Sequence, residues 1–468
     1  MYDYLTKTLT NDQKKAFYEV IEWAEKCRRS NLVDRWFVIS GYAGTGKSFL
    51  TKKLIPALKS ILGSNCAGCA PTHKAVEVLR SFAGNHLSDI NTIHKLCHLG
   101  VSDPDEKGIK HICQIASKYP YYANFDFVIV DEVSMIGKEI INFIPKKTPT
   151  IFLGDIAQLP PVQSDDEKSN INEISPLLKR PNIVLTEVIR YHGEIANYVN
   201  RLRENLTNKN ISPLISKGNL VKYLDREKWL DKAFQIFKKS KNIDEIKLLA
   251  WSNKEVESLN KYIRNKLFPS SNQYLYIANE LVIAKEPITR WNPSNNTLTI
   301  LLGTCGQATI INANLQPNKK IKIHNGGNDL ICNIWELELQ NEQGCRFDYL
   351  AIDTDSFKTV NKVLNEFKAS ITALPNITKA DKAIRRDLWI EYYRFCENYG
   401  IVPKGKNIIH RLQYAYALTV HQSQGSTFKQ VFINGVNMFG CQEIELRNKL
   451  FYTGFTRAKS KLHVLMKF

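Results

Sequence analysis

The stretch Gly41-Tyr42-Ala43-Gly44-Thr45-Gly46-Lys47-Ser48 has the residue types and spacing of a phosphate cradle. Its glycines let backbone N–H groups curl around phosphate oxygens, and the helix that must follow adds the positive end of its dipole. Lys47 would reach the β- and γ-phosphates, and the Ser48 hydroxyl would ligate Mg²⁺. A second stretch, Phe125-Asp126-Phe127-Val128-Ile129-Val130-Asp131-Glu132, ends an apolar run in two carboxylates. Asp131 is placed to hold the same Mg²⁺, and Glu132 to orient or deprotonate an attacking water. A third, Gly154-Asp155-Ile156-Ala157-Gln158-Leu159-Pro160-Pro161-Val162, offers Gln158 as a strand-end amide able to sense a γ-phosphate. Together these groups suit hydrolysis of a bound nucleotide.

Such groups need strands to carry them. In the first 190 residues, short apolar runs alternate with helical patterns, as in a parallel α/β sheet. The runs predict strands at Trp36–Ser40, Cys66–Ala70, Phe127–Val130, Ile151–Leu153 and Ile183–Leu185. All end in polar residues or Gly, and ligands of open α/β sheets gather at such carboxyl ends. Pro56 is expected to kink or shorten the helix after the cradle. A second alternating block starts at Lys247–Ala250 with a helix over Lys254–Leu267. It resumes at Tyr414–Val420, Val431–Ile433 and Leu462–Leu465. In between, Thr297–Leu302, Gln307–Ile311 and Trp335–Leu339 read as β-strands, and Lys358–Tyr399 as a charged helical stretch.

The chain has 468 residues, 43% hydrophobic and 24% charged, enough for two to four cored units. With 64 Lys+Arg against 46 Asp+Glu its net charge is +18, which favours a polyanionic partner such as nucleic acid. No apolar run approaches the ~18 residues of a membrane span, and Met1–Thr10 lacks the order of a signal peptide. No membrane association and a cytoplasmic location are therefore expected. Ten cysteines are too few for a disulfide scaffold. Cys66-Ala67-Gly68-Cys69-Ala70 reads as a small-residue core strand, and no structural metal is expected.

Taken in order, the motifs resemble those of superfamily 1 helicases, specifically the subgroup B enzymes related to RecD and to the T-even phage Dda helicase. Leu9-Thr10-Asn11-Asp12-Gln13 is similar to the family's N-terminal Q motif, which implies that Gln13 reads adenine. Ala70-Pro71-Thr72-His73-Lys74-Ala75 resembles motif Ia and Thr92-Ile93-His94-Lys95-Leu96 motif Ib, both DNA-contacting loops. Leu185-Thr186-Glu187-Val188-Ile189-Arg190 resembles the next arginine motif, and Ala250-Trp251-Ser252-Asn253-Lys254 the entry to a second motor domain. Tyr416-Ala417-Leu418-Thr419-Val420-His421-Gln422-Ser423-Gln424-Gly425 resembles motif V, and Leu450-Phe451-Tyr452-Thr453-Gly454-Phe455-Thr456-Arg457-Ala458 motif VI.

The resemblance implies an α/β fold with two RecA-like motor domains that hold ATP and Mg²⁺ between them. Residues 1–190 would form the first motor domain, interrupted by a pin at 98–121. Residues 191–290 with 406–468 would form the second, and 291–405 an SH3-like β-barrel insertion with a helical arm. Arg190 and Arg457 would act as arginine fingers, each worth roughly 10³–10⁵ in rate by neutralising transition-state charge. Pro71, Thr72, His73, Thr92, His94, Thr419, His421 and Gln424 would touch DNA backbone without reading bases. Trp389, Tyr392 and Tyr393 are expected to pack the arm helices rather than stack on bases. The implied activity is 5′-to-3′ translocation on single-stranded DNA with duplex unwinding by a monomer. Its partners would be single-stranded DNA, junctions with duplex, and single-stranded-DNA-binding or replication proteins. An ATP-driven remodeller of DNA-bound proteins, a RecD-like subunit of a nuclease complex and an RNA helicase stand as alternatives.

Overall fold

The computed structural model describes residues 2–29, 35–115, 120–160, 174–189, 193–209, 213–240, 242–292, 297–324, 327 and 329–466. The chain divides into two compact units. One comprises 1–98, 116–263 and 416–468, and the other 99–115 and 264–415.

The first unit holds two parallel sheets. Six strands make the first, in the spatial order Asp89–Thr92, Cys66–Ala70, Phe127–Val130, Thr150–Gly154, Trp36–Gly41 and Ile183–Leu185. These strands coincide with the apolar runs of the sequence to within a residue at each end, apart from Asp89–Thr92, which carries no such run. Cys66–Ala70 is buried throughout, and its small residues have a packing cause. A Cβ on Gly68 would stand 2.7 Å from Leu87 and 3.0 Å from Leu79, so the covering helix His73–Ala83 sits directly on the backbone. Helix Lys47–Leu62 runs through Pro56 without ending there. Leu50, Leu54, Ile55, Ala57 and Leu58 anchor it in the core on both sides of the proline, and that burial outweighs one lost backbone hydrogen bond.

Five parallel strands make the second sheet, in the order Ala417–Thr419, Ile246–Ala250, Phe428–Asn434, Ala458–Leu465 and Leu220–Tyr223. The apolar run at Tyr414–Val420 is not one strand. Leu412–Tyr414 pairs antiparallel with Leu281–Ala284 in the other unit's sheet, and Ala417–Thr419 pairs parallel with Ile246–Ala250. Pattern alone could not separate them, because Tyr414 runs on into Ala415–Val420 with no break in apolar residues until Thr419.

The second unit is built on an antiparallel sheet in the order Arg346–Ile352, Leu330–Asn341, Gln307–Ile321, Leu281–Ala284 and Leu412–Tyr414. The charged stretch after it is two helices, Phe357–Ala373 and Lys379–Asn398. Val360, Leu364, Phe367 and Ile371 of the first meet Trp389, Tyr392, Phe395 and Cys396 of the second in a shared core. Trp389 and Tyr392 are therefore packing residues. The short hairpin Leu99–Val101/Ile112–Gln114 belongs to this unit and rests on the second helix. Tyr393 donates its hydroxyl to the Gly108 carbonyl (3.0 Å), and Arg385 donates Nε–H to that of Glu106 (2.9 Å). Lys110 lies 4.0 Å from the Tyr393 ring and 3.6 Å from Glu397. Among the described residues no helix is long and apolar enough to cross a membrane, and no cluster of three or more His, Cys, Asp or Glu could hold a metal.

Candidate nucleotide site and nucleic-acid contacts

Strand Trp36–Gly41 delivers the cradle at the carboxyl edge of the first sheet, and helix Lys47–Leu62 leaves from it. The turn requires left-handed backbone at Gly44 (φ 83°) and Gly46 (φ 74°), where a side chain is disfavoured. Gln13 supports this turn from beneath. It is 1% exposed, and its amide donates to the Thr45 carbonyl at 2.8 Å while its oxygen accepts from the Thr10 N–H at 3.1 Å. The structure thus gives Gln13 a loop-bracing contact.

Lys47 donates to the carbonyls of Gly41 (2.8 Å) and Tyr42 (3.2 Å). Burial pushes its ammonium below the usual lysine value, while Asp155, Glu132 and Asp131 pull in the opposite direction. Strand Phe127–Val130 carries Asp131 and Glu132 to the same edge. Asp131 Oδ1 accepts the Glu132 N–H at 2.8 Å, and Glu132 itself has φ 53°. A non-glycine residue in that region carries strain of order 1–3 kcal/mol, and here it re-aims a carboxylate at the end of a strand. One hydroxyl (Ser48) and one carboxylate (Asp131) at a phosphate loop are hard oxygen donors and fit Mg²⁺, which completes its shell with phosphate oxygens and water.

Gln158 is 4% exposed, and its side-chain oxygen is buried with no hydrogen-bond partner among the described residues. Arg190 and Pro161 lie outside the described residues. The segment leading to Arg190 is fixed at both ends. Asp12 accepts from the N–H and hydroxyl of Thr186 and the N–H of Glu187, bonds that hold its carboxyl below the usual range. The Ile189 N–H then returns to the Gly44 carbonyl at 2.9 Å.

Arg457 differs from expectation. It is 4% exposed and donates to the carbonyls of Thr453 and Ser426 and to the Thr456 hydroxyl, all at 3.0–3.1 Å. Its fork is spent on its own side of the unit. Two groups that reach the cradle come from helices: Tyr452 of Ile444–Phe455 and Arg203 of Glu194–Glu204. Tyr452 accepts the Ala43 N–H at 2.9 Å and donates to Asp155 Oδ2 at 2.6 Å. Arg203 pairs with Asp155 Oδ1 and lies over the Tyr42 ring at 3.7 Å. Sequence reading passed over Arg203 because it looks like the usual cation in a helix's last turn.

Two of the expected DNA loops are helix starts, and the third is a turn after strand Ala417–Thr419. Thr72 caps helix His73–Ala83 through the Ala75 N–H (3.2 Å), and Thr92 caps Ile93–Leu96 through the Lys95 N–H (3.3 Å). Thr419 and Gln422 cap one another in the same way. Pro71, Thr72, His73, His94 and His421 are partly exposed, whereas Thr92 and Thr419 are buried. Burial lowers the pKa of His73 and His94 and brings His421 down to about 4. Gln424, expected to touch DNA, is instead enclosed by protein. It is 3% exposed and donates to the Leu159 carbonyl at 3.2 Å, which ties the second sheet to the Gln158 loop.

Residues 10–223 match the family model described as an AAA domain, and 414–465 that described as a UvrD-like helicase C-terminal domain. The ATP-dependent DNA helicase dda of Enterobacteria phage T4 is 25% identical over 464 residues, spanning 96% of this chain and 98% of its own. The ATP-dependent RecD2 DNA helicase of Deinococcus radiodurans is 32% identical over 160 residues, 33% of this chain and 20% of its own. A crystal structure of Bacteroides Pif1 bound to single-stranded DNA has a TM-score of 0.47 and 18% identity, covering 97% of this chain and 92% of that one. The two family models, an alignment along nearly all of both chains and the ordered motifs support a superfamily 1 helicase of subgroup B that resembles Dda and RecD.

Proposed function

We propose that the chain is an ATP-dependent DNA helicase that moves 5′-to-3′ along single-stranded DNA and separates duplex ahead of it. The observation that carries this reading is that the phosphate loop carried by the first sheet is met by Tyr452, whose hydroxyl accepts the Ala43 N–H and whose helix, Ile444–Phe455, packs on the second sheet. Hydrolysis at that loop would change how the sheets meet, and loops on the two sheets would grip DNA in alternation. Lys47 binds the phosphates, and Glu132 aims or deprotonates the attacking water. Ser48 and Asp131 would hold Mg²⁺, which supplies charge neutralisation at the phosphates when bound. Arg190 and Arg457 would complete the site as fingers, Arg457 after leaving its contacts with Ser426 and Thr453. Pro71, Thr72, His73, His94 and His421 would touch backbone, and Gln13 would add the adenine contact.

The wedge is assigned to the hairpin within 98–121. It exposes Val101, Ile109, Ile112 and Ile115, apolar side chains suited to meeting a base pair rather than water. Its packing on helix Lys379–Asn398 gives it the stiffness a wedge needs. The test is unwinding of matched duplexes carrying a 5′ or a 3′ single-stranded tail, with ATP and Mg²⁺. Opening of the 5′-tailed duplex alone is expected. Opening of the 3′-tailed one alone would overturn the polarity, and opening of neither while single-stranded DNA still stimulates ATPase would overturn the wedge.

A further inference from the structure

Arg203 is a buried charge beside the phosphate cradle that the expected machinery leaves unused. It stands in the last turn of helix Glu194–Glu204, which packs against helix Ile444–Phe455 through Tyr198 and Phe455, 5.4 Å between ring centroids. Its side chain is 8% exposed, and that of its partner Asp155 is fully buried. Asp155 also accepts the Tyr452 hydroxyl and the Ala157 N–H. The guanidinium lies over the Tyr42 ring of the cradle. A buried carboxylate beside a loop that receives a polyphosphate is a liability. Unpaired, it repels the β- and γ-phosphates and draws the Lys47 ammonium toward itself, since at short range in a desolvated site such charges interact strongly.

We propose that Arg203 is a positioning residue of the nucleotide site. By neutralising Asp155 it keeps Lys47 available to the phosphates, and it does so from the side of the unit that carries the second sheet. Phosphate binding thereby depends on that side being docked. Arg203 makes this contact through Asp155 and Tyr42, so it acts on the nucleotide through other residues. The inference rests on the reading of Lys47 and its loop as the nucleotide site.

The experiment is an equilibrium titration of a fluorescent ATP analogue with Mg²⁺ and without DNA, each variant's fold being checked by thermal melting. Arg203→Gln is expected to weaken binding about tenfold to a hundredfold. Arg203→Lys keeps the charge and should stay within about threefold of the unaltered chain. Arg203→Gln placed in an Asp155→Asn background should cost less than about threefold relative to Asp155→Asn alone, because no buried charge is then left unpaired. A purely structural ion pair would lower the melting temperature of Arg203→Gln and leave affinity unchanged, which overturns the proposal. If Arg203→Gln does not fold, the Asp155→Asn background decides. A tenfold loss there on removing Arg203 also overturns it. Lys47→Ala separates the two readings, for unaltered binding by that variant would defeat the nucleotide site itself.

Discussion

Gly108→Val strikes the hairpin where it meets the helical arm. Gly108 has φ 79°, and a Cβ built there would stand 2.6–2.8 Å from three atoms of the Trp389 ring. A β-branched residue in that backbone region costs ~1–2 kcal/mol, and displacing a packed indole adds ~1–3. The ring's shift takes with it the Tyr393 hydrogen bond to the Gly108 carbonyl, worth ~1 kcal/mol, and strains the charged one from Arg385 to Glu106, worth ~1.5–3. The sum, several kcal/mol, exceeds what two three-residue strands retain by themselves, so the hairpin should leave the arm while both cores stay folded. Two assays separate the consequences: opening of a 5′-tailed duplex, and ATPase stimulated by single-stranded DNA. Unwinding should fall at least about tenfold and ATPase by less than about twofold. Tyr393→Phe, which loses only the hydroxyl, should show a smaller drop in unwinding. Unwinding preserved in a folded Gly108→Val protein would refute the wedge argument, and so would an equal loss of both activities.

Glu132→Gln should still bind ATP and DNA but turn over at least about a hundredfold more slowly, as read by single-turnover hydrolysis; normal unwinding by it would remove Glu132 from the chemistry. Arg264 in the second unit is 4% exposed and clasps the buried Glu280 at 2.6 and 3.1 Å as well as the carbonyls of Ser271, Tyr274 and Leu275. Arg264→Met strands that carboxylate and should cost ~3–5 kcal/mol in denaturant unfolding, with Glu280→Gln in the same chain recovering part of it. His463, stacked on Phe432 at 4.2 Å, is held down to about 4 by burial and by Lys461 and Lys232. Its neutral ring is the native form, so its contribution is complete above pH 6.5 and shrinks as pH falls toward 4, by up to ~3 kcal/mol. Melting temperatures between pH 7.5 and 5 should drop less in His463→Gln than in the unaltered chain.

What the sequence made legible was local. The cradle, the Asp131–Glu132 pair and most strands of the first sheet are each set by a run of eight or fewer residues whose burial shows directly as apolarity. What it hid depends on partners far along the chain. Asp155 meets Arg203 across 48 positions and Tyr452 across 297, and no spacing rule reaches that far. The same distance explains Gln424, a polar residue that the motif resemblance assigned to DNA and that is spent on the Leu159 carbonyl. It also explains Tyr414–Val420, a single apolar run shared between two sheets because the chain changes units at Tyr416. Pro56 failed as a stop signal because tertiary packing holds both halves of its helix.

The histidines bear on how DNA would be held. His73 and His94 have lowered pKa values and His421 titrates near 4, all through burial first. At neutral pH these rings are uncharged, so in the loops proposed to meet DNA they would offer a hydrogen bond and a flat face but no attraction to a phosphate. Attraction must then come from lysine and arginine, and the net charge of +18 supplies it in excess. Such a division suits a motor. Long-range attraction that ignores position keeps the strand nearby, while short neutral contacts at these loops can be made and released with little change in desolvated charge. If the loops themselves carried buried cations, each release would have to restore a charged group to solvent, and stepping would slow at the contacts that must move most often.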